Sequence, residues 1–280
     1  MPDDTCSRGD QNVAIGHKAG FKNRTGAANV FIGKSAGGNN VSGSTNVFIG
    51  NQTGSLNTTG GANVFLGGGA GGLNISGSRN ISLGRNSMQD NRVGSRNIVL
   101  GGGALLRDTM PMGIIAIGDS SLAYNFSGDD GEAPTGIANT AVGHRSLFRN
   151  ATGREITALG YAAGRNGNSC GNVYVGYLAG EQNVGNGANT YGGIRAGSTS
   201  IDGDQNVFVG GFAGAANGGS ENVYLGEGAG ENAVTNGGVF LGHDAGKNVV
   251  TDNRLYIENS DRPDALIFGE CDNLKVEINC

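Results

Sequence analysis

The residues of this chain that could carry out catalysis are few and widely separated. The three histidines, His17, His144 and His243, each follow a glycine at the same point of a recurring sequence pattern. Other copies of the pattern carry Lys, Asn, Arg, Asp or Tyr there, which is typical of an outward position that tolerates substitution. No acid–base pair and no nucleophile with a neighbouring base can be assembled from these spacings. The sequence therefore predicts no enzyme, no catalytic residue and no cofactor.

Motifs that would bind a metal ion are also incomplete. Acidic residues cluster at Asp129, Asp130 and Glu132, and again at Asp202 and Asp204. Calcium takes roughly six to eight oxygen ligands, and neither cluster has the spacing of an EF-hand or of a calcium-binding solenoid repeat. We therefore expect solvated acidic loops and no metal site.

Two short features could contact a partner. Residues 8–10 read Arg-Gly-Asp, the tripeptide that integrins bind, but they lie in a spacer where the equivalent segment 201–206 has turn-forming residues. A turn is the favoured interpretation.

The four cysteines have neither Cys-x-x-Cys nor Cys/His metal spacing, and they stand at positions 6, 170, 271 and 280. They are either reduced and unpaired, or paired between chains near the chain ends.

Composition argues against an ordinary globular domain. The 280 residues include 55 glycines, only four prolines and no tryptophan. Collagen is excluded, because glycine does not fall at every third position. The net charge of −5 gives no global basic field for nucleic acid or anionic lipid. No apolar run approaches about 20 residues, so we expect no membrane insertion. The start, Met-Pro-Asp-Asp, does not resemble a signal peptide.

An internal repeat organises almost the whole chain. Its closing glycine recurs at intervals of sixteen or seventeen residues, with one longer step, at Gly16, Gly33, Gly50, Gly67, Gly84, Gly101, Gly118, Gly143, Gly160, Gly176, Gly193, Gly210, Gly226 and Gly242. This period suits one coil of a parallel β-solenoid, and the apolar tripeptides before the glycines have high β propensity. We expect an all-β chain with an N-terminal lead-in at 1–11, about fourteen coils over 12–250 with an insertion at 119–138, and a C-terminal β cap or shaft segment at 251–280.

The apolar tripeptide has two apolar faces. In Val30-Phe31-Ile32 the outer residues share one face of the strand and Phe31 takes the other. A coil of this length can bury one face, and we expect Val30 and Ile32 to close the coil. The aromatic stripe would then pack against other chains around a shared axis, because a soluble monomer does not tolerate so large an exposed patch. This predicts a parallel homotrimer with axis residues Phe31, Phe48, Phe65, Tyr174, Tyr191, Phe208, Tyr224 and Phe240.

Two further positions of the repeat have structural explanations. An alanine recurs three residues after the closing glycine, as in Ala36 and Ala70, and we expect it to allow a tight turn. The glycine after that alanine would supply a positive φ. The asparagines that open the tripeptides should stack as a ladder between coils, and they are Asn12, Asn29, Asn46, Asn63, Asn80 and Asn97.

The one long step of the repeat is the best candidate for a binding protrusion. Insertions in solenoids form loops on the outside. The predicted surface-binding loop consists of Asn125, Phe126, Asp129, Asp130 and Glu132.

The repeat resembles a known family. The sequence Asn-Val-Phe-Ile-Gly-x-x-Ala-Gly, as it stands at 29–37, resembles the head repeats of YadA-like trimeric adhesins, which are left-handed parallel β-rolls. The resemblance covers roughly residues 12–250. Segments 255–260, 267–270 and 276–279 are similar to the region that follows such repeats in phage and phage-like tail fibres. Those fibres often carry a cleavable intramolecular chaperone beyond this region, and no chaperone-sized segment is present in this chain.

These resemblances imply a receptor-binding role rather than catalysis. The leading expectation is a trimeric tail-fibre segment of a phage or phage-like injection system, which contacts a glycan or protein on a cell surface. The partners are then two further copies of the chain and that receptor, without nucleic acid. The protein would be extracellular or on a virion or particle surface, assembled in the cytoplasm without a signal peptide. The alternative is the head of a trimeric surface adhesin, and a lesser one is an ice-binding solenoid, whose evenly spaced threonines this chain lacks.

Overall fold

All regular secondary structure in the described part of the chain is β-strand. The computed structural model describes residues 11–126, 136–185, 187–260, 266–270 and 275–278. These residues form 17 β-strands and no helix. Glycine at this density disfavours helix, and the Val, Ile, Phe and Tyr of the tripeptides favour short strands.

The chain divides into two compact units, Met1–Arg145 and Ser146–Cys280. The described residues of the first unit form β1 (Val13–Ile15), β2 (Val30–Ile32), β3 (Val47–Ile49), β4 (Val64–Leu66), β5 (Ile81–Leu83), β6 (Ile98–Leu100), β7 (Ile115–Ile117) and β8 (Thr140–Val142). Those of the second form β9 (Thr157–Leu159), β10 (Val173–Val175), β11 (Thr190–Gly192), β12 (Val207–Val209), β13 (Val223–Leu225), β14 (Val239–Leu241), β15 (Arg254–Ile257), β16 (Ile267–Glu270) and β17 (Lys275–Ile278).

Each copy of the repeat is one turn of a parallel β-solenoid. Within each unit, successive strands pair in parallel with equivalent residues opposite one another, so that Val30 lies against Val47 and Phe31 against Phe48. The prediction of a parallel β-solenoid of about fourteen coils is therefore confirmed. The C-terminal end of the second unit departs from this parallel pattern. There β15 still pairs in parallel with β14, but β16 pairs antiparallel with β15, and β17 antiparallel with β16. These three strands lie within the range 251–280, where the sequence predicts a C-terminal β segment.

The orientation of the strands corrects the sequence analysis. The aromatic residues point into their own coil: Phe31 is 1% exposed and Phe48 is fully buried, whereas Val30 and Ile32 are only partly buried. The prediction that these rings face other chains was wrong for all eight residues, namely Phe31, Phe48, Phe65, Tyr174, Tyr191, Phe208, Tyr224 and Phe240. The physical reason is the narrow interior. A three-residue strand directs one side chain inward, and a single ring fills the space that the coil encloses.

Glycine makes room for that ring. A Cβ added at Gly54 would lie 2.6 Å from the Phe48 ring, and Gly54 has a φ of +54°. The rings of successive coils stack, and Phe48 and Phe65 have centroids 5.0 Å apart with an interplanar angle of 7°. The small residue predicted just before that glycine, such as Ala36 or Ala70, is fully buried. The tight turn and the positive φ predicted there are thus both present.

Where the central residue is small, a large side chain takes the place of that glycine. Ser82 shares its coil with Met88, Val99 with Leu105, Ala116 with Leu122 and Ala141 with Leu147, and all of these side chains are buried. These four replacements also adopt the positive φ of the glycine, between 48° and 53°. Each of these coils therefore receives one large side chain from one of two positions, which keeps the packed volume nearly constant.

Two asparagine ladders tie the coils together. In the predicted ladder the amide N–H of Asn46 donates to Oδ1 of Asn29 at 2.9 Å, and Nδ2 of Asn29 donates to the Gly43 carbonyl at 2.9 Å. A second, buried ladder was not predicted, and there Nδ2 of Asn57 donates to Oδ1 of Asn40 at 2.7 Å. Asn40 also donates to the Gly43 carbonyl at 2.9 Å. Both ladders therefore donate hydrogen bonds to the same turn carbonyl, that of Gly43, which would otherwise be buried without a partner.

In the second unit the buried rings are mostly tyrosines. The Tyr174 hydroxyl donates to Oδ1 of Asn183 at 3.1 Å, and the Tyr224 and Thr235 hydroxyls are 2.6 Å apart. Burial raises the pKa of all three buried tyrosines, because the phenolate would lose its hydration. The pKa of Tyr191 rises to about 12, although hydrogen bonding with Ser200, Asn206 and Asn183 partly opposes the effect of burial.

The exchange between the two core positions can be tested in the coil of Ser82 and Met88. We expect Ser82→Phe to overpack the coil by roughly 1–3 kcal/mol or more, and Met88→Gly to leave a cavity that costs roughly 2–5 kcal/mol. Together they recreate the Phe–Gly pair of the preceding coil. The double variant should therefore be more stable than the sum of the single effects by about 2 kcal/mol, as measured by urea unfolding. Strict additivity would contradict a shared core space.

Alkaline unfolding should affect the second unit selectively. The folded state holds the tyrosine protons more tightly than the unfolded state, in which the pKa of a tyrosine hydroxyl is near 10. The stabilisation is present below pH 10 and is lost as the pH rises towards about 12. The described buried rings of the first unit are phenylalanines and do not titrate. Tyrosinate absorbance and circular dichroism should change together, and Tyr191→Phe should move that change to higher pH. Ionisation of all tyrosines near pH 10 without loss of structure would disprove the assignment.

Candidate interaction surfaces

The outward side chains of the strands form an apolar surface in each unit. We call these residues the strand face. In the first unit it consists of Val13, Ile15, Val30, Ile32, Val47, Ile49, Val64, Leu66, Ile81, Leu83, Ile98, Leu100, Ile115, Ile117, Thr140 and Val142. Fifteen of these sixteen side chains are Val, Ile or Leu, and none is charged. In the second unit Thr157, Thr190 and Gly192 interrupt the series.

The repeat register positions the strand face. Because equivalent residues lie opposite each other in successive coils, Val stacks on Val and Ile on Ile in two parallel columns. The backbone of the strands is already paired within the chain, so the surface offers side chains alone. Val64 remains 38% exposed, Leu66 42% and Ile81 40%. A continuous apolar surface of this kind marks an interaction site in soluble proteins.

Charges beside the strand face differ in sign between the units. The charged residues next to the strands are mainly basic in the first unit and acidic in the second. They include Lys34, Arg79, Arg85, Arg96 and one acidic residue, Asp119, in the first unit, and Glu155, Glu221 and Glu227 in the second. Residues 11–126 contain nine Lys and Arg against three Asp and Glu, a difference of +6, although the whole chain carries −5. The salt bridges between described residues all lie in the second unit. The net charge of the whole chain therefore does not reveal that its basic and acidic residues are concentrated in different units.

The predicted surface-binding loop is only partly a surface feature. Phe126 is 47% exposed, but Asn125 is fully buried. Nδ2 of Asn125 donates to the Asp108 carboxylate and to the Gly136 carbonyl, which places Asn125 in the second asparagine ladder. The prediction that it contacts a receptor is therefore wrong. Asp129, Asp130 and Glu132 lie outside the described residues, as do residues 8–10.

The three histidines belong to three different coils of the repeat. His17, His144 and His243 are exposed, as expected for a tolerant outward position. Within the described ranges, no three His, Cys, Asp or Glu side chains come together as a metal site. Cys170 is exposed and unpaired, and the other cysteines lie outside the described ranges.

An ionic cluster on the second unit has a structural explanation. Nζ of Lys247 lies 2.9 Å from the Glu231 carboxylate and 3.1 Å from that of Asp244. Hydrogen bonds to these carboxylates raise the Lys247 pKa, so the ammonium stays charged. Glu231, Asp244 and Lys247 belong to adjacent coils, and the sum of their charges is −1. Such a network holds neighbouring turns together and is worth little by itself at the surface.

Neither a protein-family model, nor a curated protein, nor a solved structure matches the chain. Among the described residues there is no helix that could cross a membrane. The fold thus defines a class, the parallel β-solenoids, and the strand face is its principal candidate for interaction.

Proposed function

We propose that this chain is a receptor-binding segment of a trimeric tail fibre, from a phage or a phage-like contractile injection system. Its coils wind left-handed, and three copies lie parallel around a common axis. The assembly stands on the outside of a particle and contacts a cell surface. It is built in the cytoplasm and acts by binding, without catalysis or a cofactor.

The exposed strand face is the observation that carries this proposal. It replaces the aromatic stripe as the surface that meets other copies, because its Val, Ile and Leu side chains remain open to solvent in the single chain. Burying apolar area contributes about 25 cal/mol per Å². All copies share one coil period, so a parallel arrangement brings equivalent columns together at every level. Rotation about a threefold axis closes the assembly and leaves no copy with an open face.

A trimer of this kind suits a binding role. Three identical receptor sites on one body raise the apparent affinity by multivalency without new contacts. The same assembly would serve the head of a surface adhesin, whose head repeats the Asn-Val-Phe-Ile-Gly repeat resembles. The full gene separates the two: a signal peptide with a C-terminal barrel indicates the adhesin, and a cleavable chaperone indicates the fibre.

The trimer can be tested with a charge placed on the strand face. Light scattering should give about three times the chain mass of 28.2 kDa. Val64→Lys should shift the mass towards the monomer, because it buries an unpaired ammonium between copies. Ile75→Lys is the matched control, since Ile75 is 41% exposed and lies outside the strand face. Both variants should keep the circular dichroism of the parent chain. A parent mass of 28 kDa would refute the assembly.

Binding to cells tests the function itself. We expect the chain to bind at least one type in a panel of bacterial and animal cells, as measured by flow cytometry with labelled protein. The Val64→Lys monomer should bind the same cells on the order of a hundredfold more weakly, because it loses multivalency. Ile75→Lys should bind like the parent. A parent trimer that binds no cell type would count against a receptor-binding role and favour a purely structural one.

A further inference from the structure

A shallow groove on the second unit combines polar and apolar side chains in two rows. It is open, has a volume of about 420 Å³, and is lined by Arg149, Asn166, Asn168, Gln182, Val184 and Ile201. None of these residues belongs to the strand face. The groove is therefore distinct from the strand face.

The solenoid register creates the two rows. Arg149, Asn166 and Gln182 occupy equivalent positions of three successive coils, and they form the polar row. The amide N–H of Asn166 donates to the Glu181 carbonyl at 2.9 Å, and that of Gln182 to the Ser198 carbonyl at 3.0 Å. These bonds fix the coils at the usual strand spacing of about 4.8 Å. The polar groups thus follow one another at regular, short intervals.

The polar row offers neutral hydrogen-bonding groups. Each side-chain amide of Asn166 and Gln182 has both donor and acceptor atoms, and neither bonds to another residue in the described ranges. Asn168 is held in place, because its Oδ1 accepts from the amide N–H groups of Ala151 and Thr152 at 2.8 and 2.6 Å. Its Nδ2 donates to no residue in the described ranges. Arg149 adds a guanidinium at one end.

The second row is apolar beyond Asn168. Val184 is 50% exposed and Ile201 is 47% exposed. The nearby carboxylate of Glu181 is paired with Arg165 at 3.2 Å, so it does not add free negative charge to the groove. The groove consequently presents amides along one side and aliphatic carbon along the other, with little net charge.

We propose that this groove binds a neutral saccharide. A pyranose ring has hydroxyl groups around its edge, which amides recognise as both donors and acceptors, and a face of C–H groups, which packs on aliphatic side chains. A peptide that adds a strand would need free backbone groups, and the N–H groups of Asn166 and Gln182 are already used between coils. A polyanion would require more cations than Arg149. The inference rests on the proposed function, since it names the class of receptor.

The test uses the full chain, the panel of cells and matched variants. The polar row is tested by the double variant Asn166→Ala with Gln182→Ala, and the apolar row by Val184→Asp. Asn232→Ala and Val234→Asp are the controls, because they change exposed residues at equivalent positions of another coil. Cells are treated with periodate, which cleaves the vicinal diols of surface sugars, or with protease. An array of immobilised neutral oligosaccharides is probed in parallel.

We expect periodate to abolish binding, protease to leave it unchanged, and each groove variant to weaken binding about tenfold. The double variant loses two hydrogen bonds, and Val184→Asp loses an apolar contact. The two controls should bind like the parent. Binding that survives periodate, or groove variants that bind normally, would overturn the saccharide site while the receptor-binding role stands. Groove-dependent binding to the array by a chain that is monomeric would support the site and refute the trimer.

Discussion

The structure depends on a single constraint: the space inside a coil of sixteen or seventeen residues accommodates about one large side chain. Phe48 fills it in one coil and Met88 or Leu122 in others, from a different backbone position. The glycine opposite Phe48 exists because a Cβ there would collide with the ring. In the coil of Ala158 and Gly164, neighbouring side chains fill the space, since a Cβ at Gly164 would lie 2.5 Å from the Tyr174 ring.

Because the interior is so small, polar groups must hold the turns. The asparagine ladders do this by bonding backbone groups that the coil buries, and each rung repeats the one before it. Successive glycines also approach closely, and a Cβ at Gly33 would lie 2.4 Å from the Gly50 carbonyl oxygen. Other left-handed positions accept ordinary residues, such as Ser35 with a φ of 56°. The closing glycines have φ between 124° and 140°, whereas no other type of residue in the described ranges has a positive φ above 66°. Close approach and this φ therefore both explain why the closing glycine persists.

The same constraint produces the surfaces. A strand that turns one side chain inward must turn two outward, and these form the strand face. The spacers between strands vary more freely, so that rows such as Arg149, Asn166 and Gln182 differ from coil to coil. A regular apolar surface for identical copies and an irregular polar surface for a ligand thus arise from one repeat. The proposed trimer and the proposed saccharide groove use these two surfaces separately.

The sequence by itself determined the all-β class, the parallel coils, their period and the ladder of Asn29 and Asn46, because these follow from local propensity and exact repetition. It did not determine which face of Val30-Phe31-Ile32 points inward. Alternation divides the strand into two apolar faces, but only the enclosed volume selects between them. The second ladder and the burial of Asn125 also required the tertiary structure. Their partners lie in the next coil, and pairing across coils depends on where the turns bring each side chain.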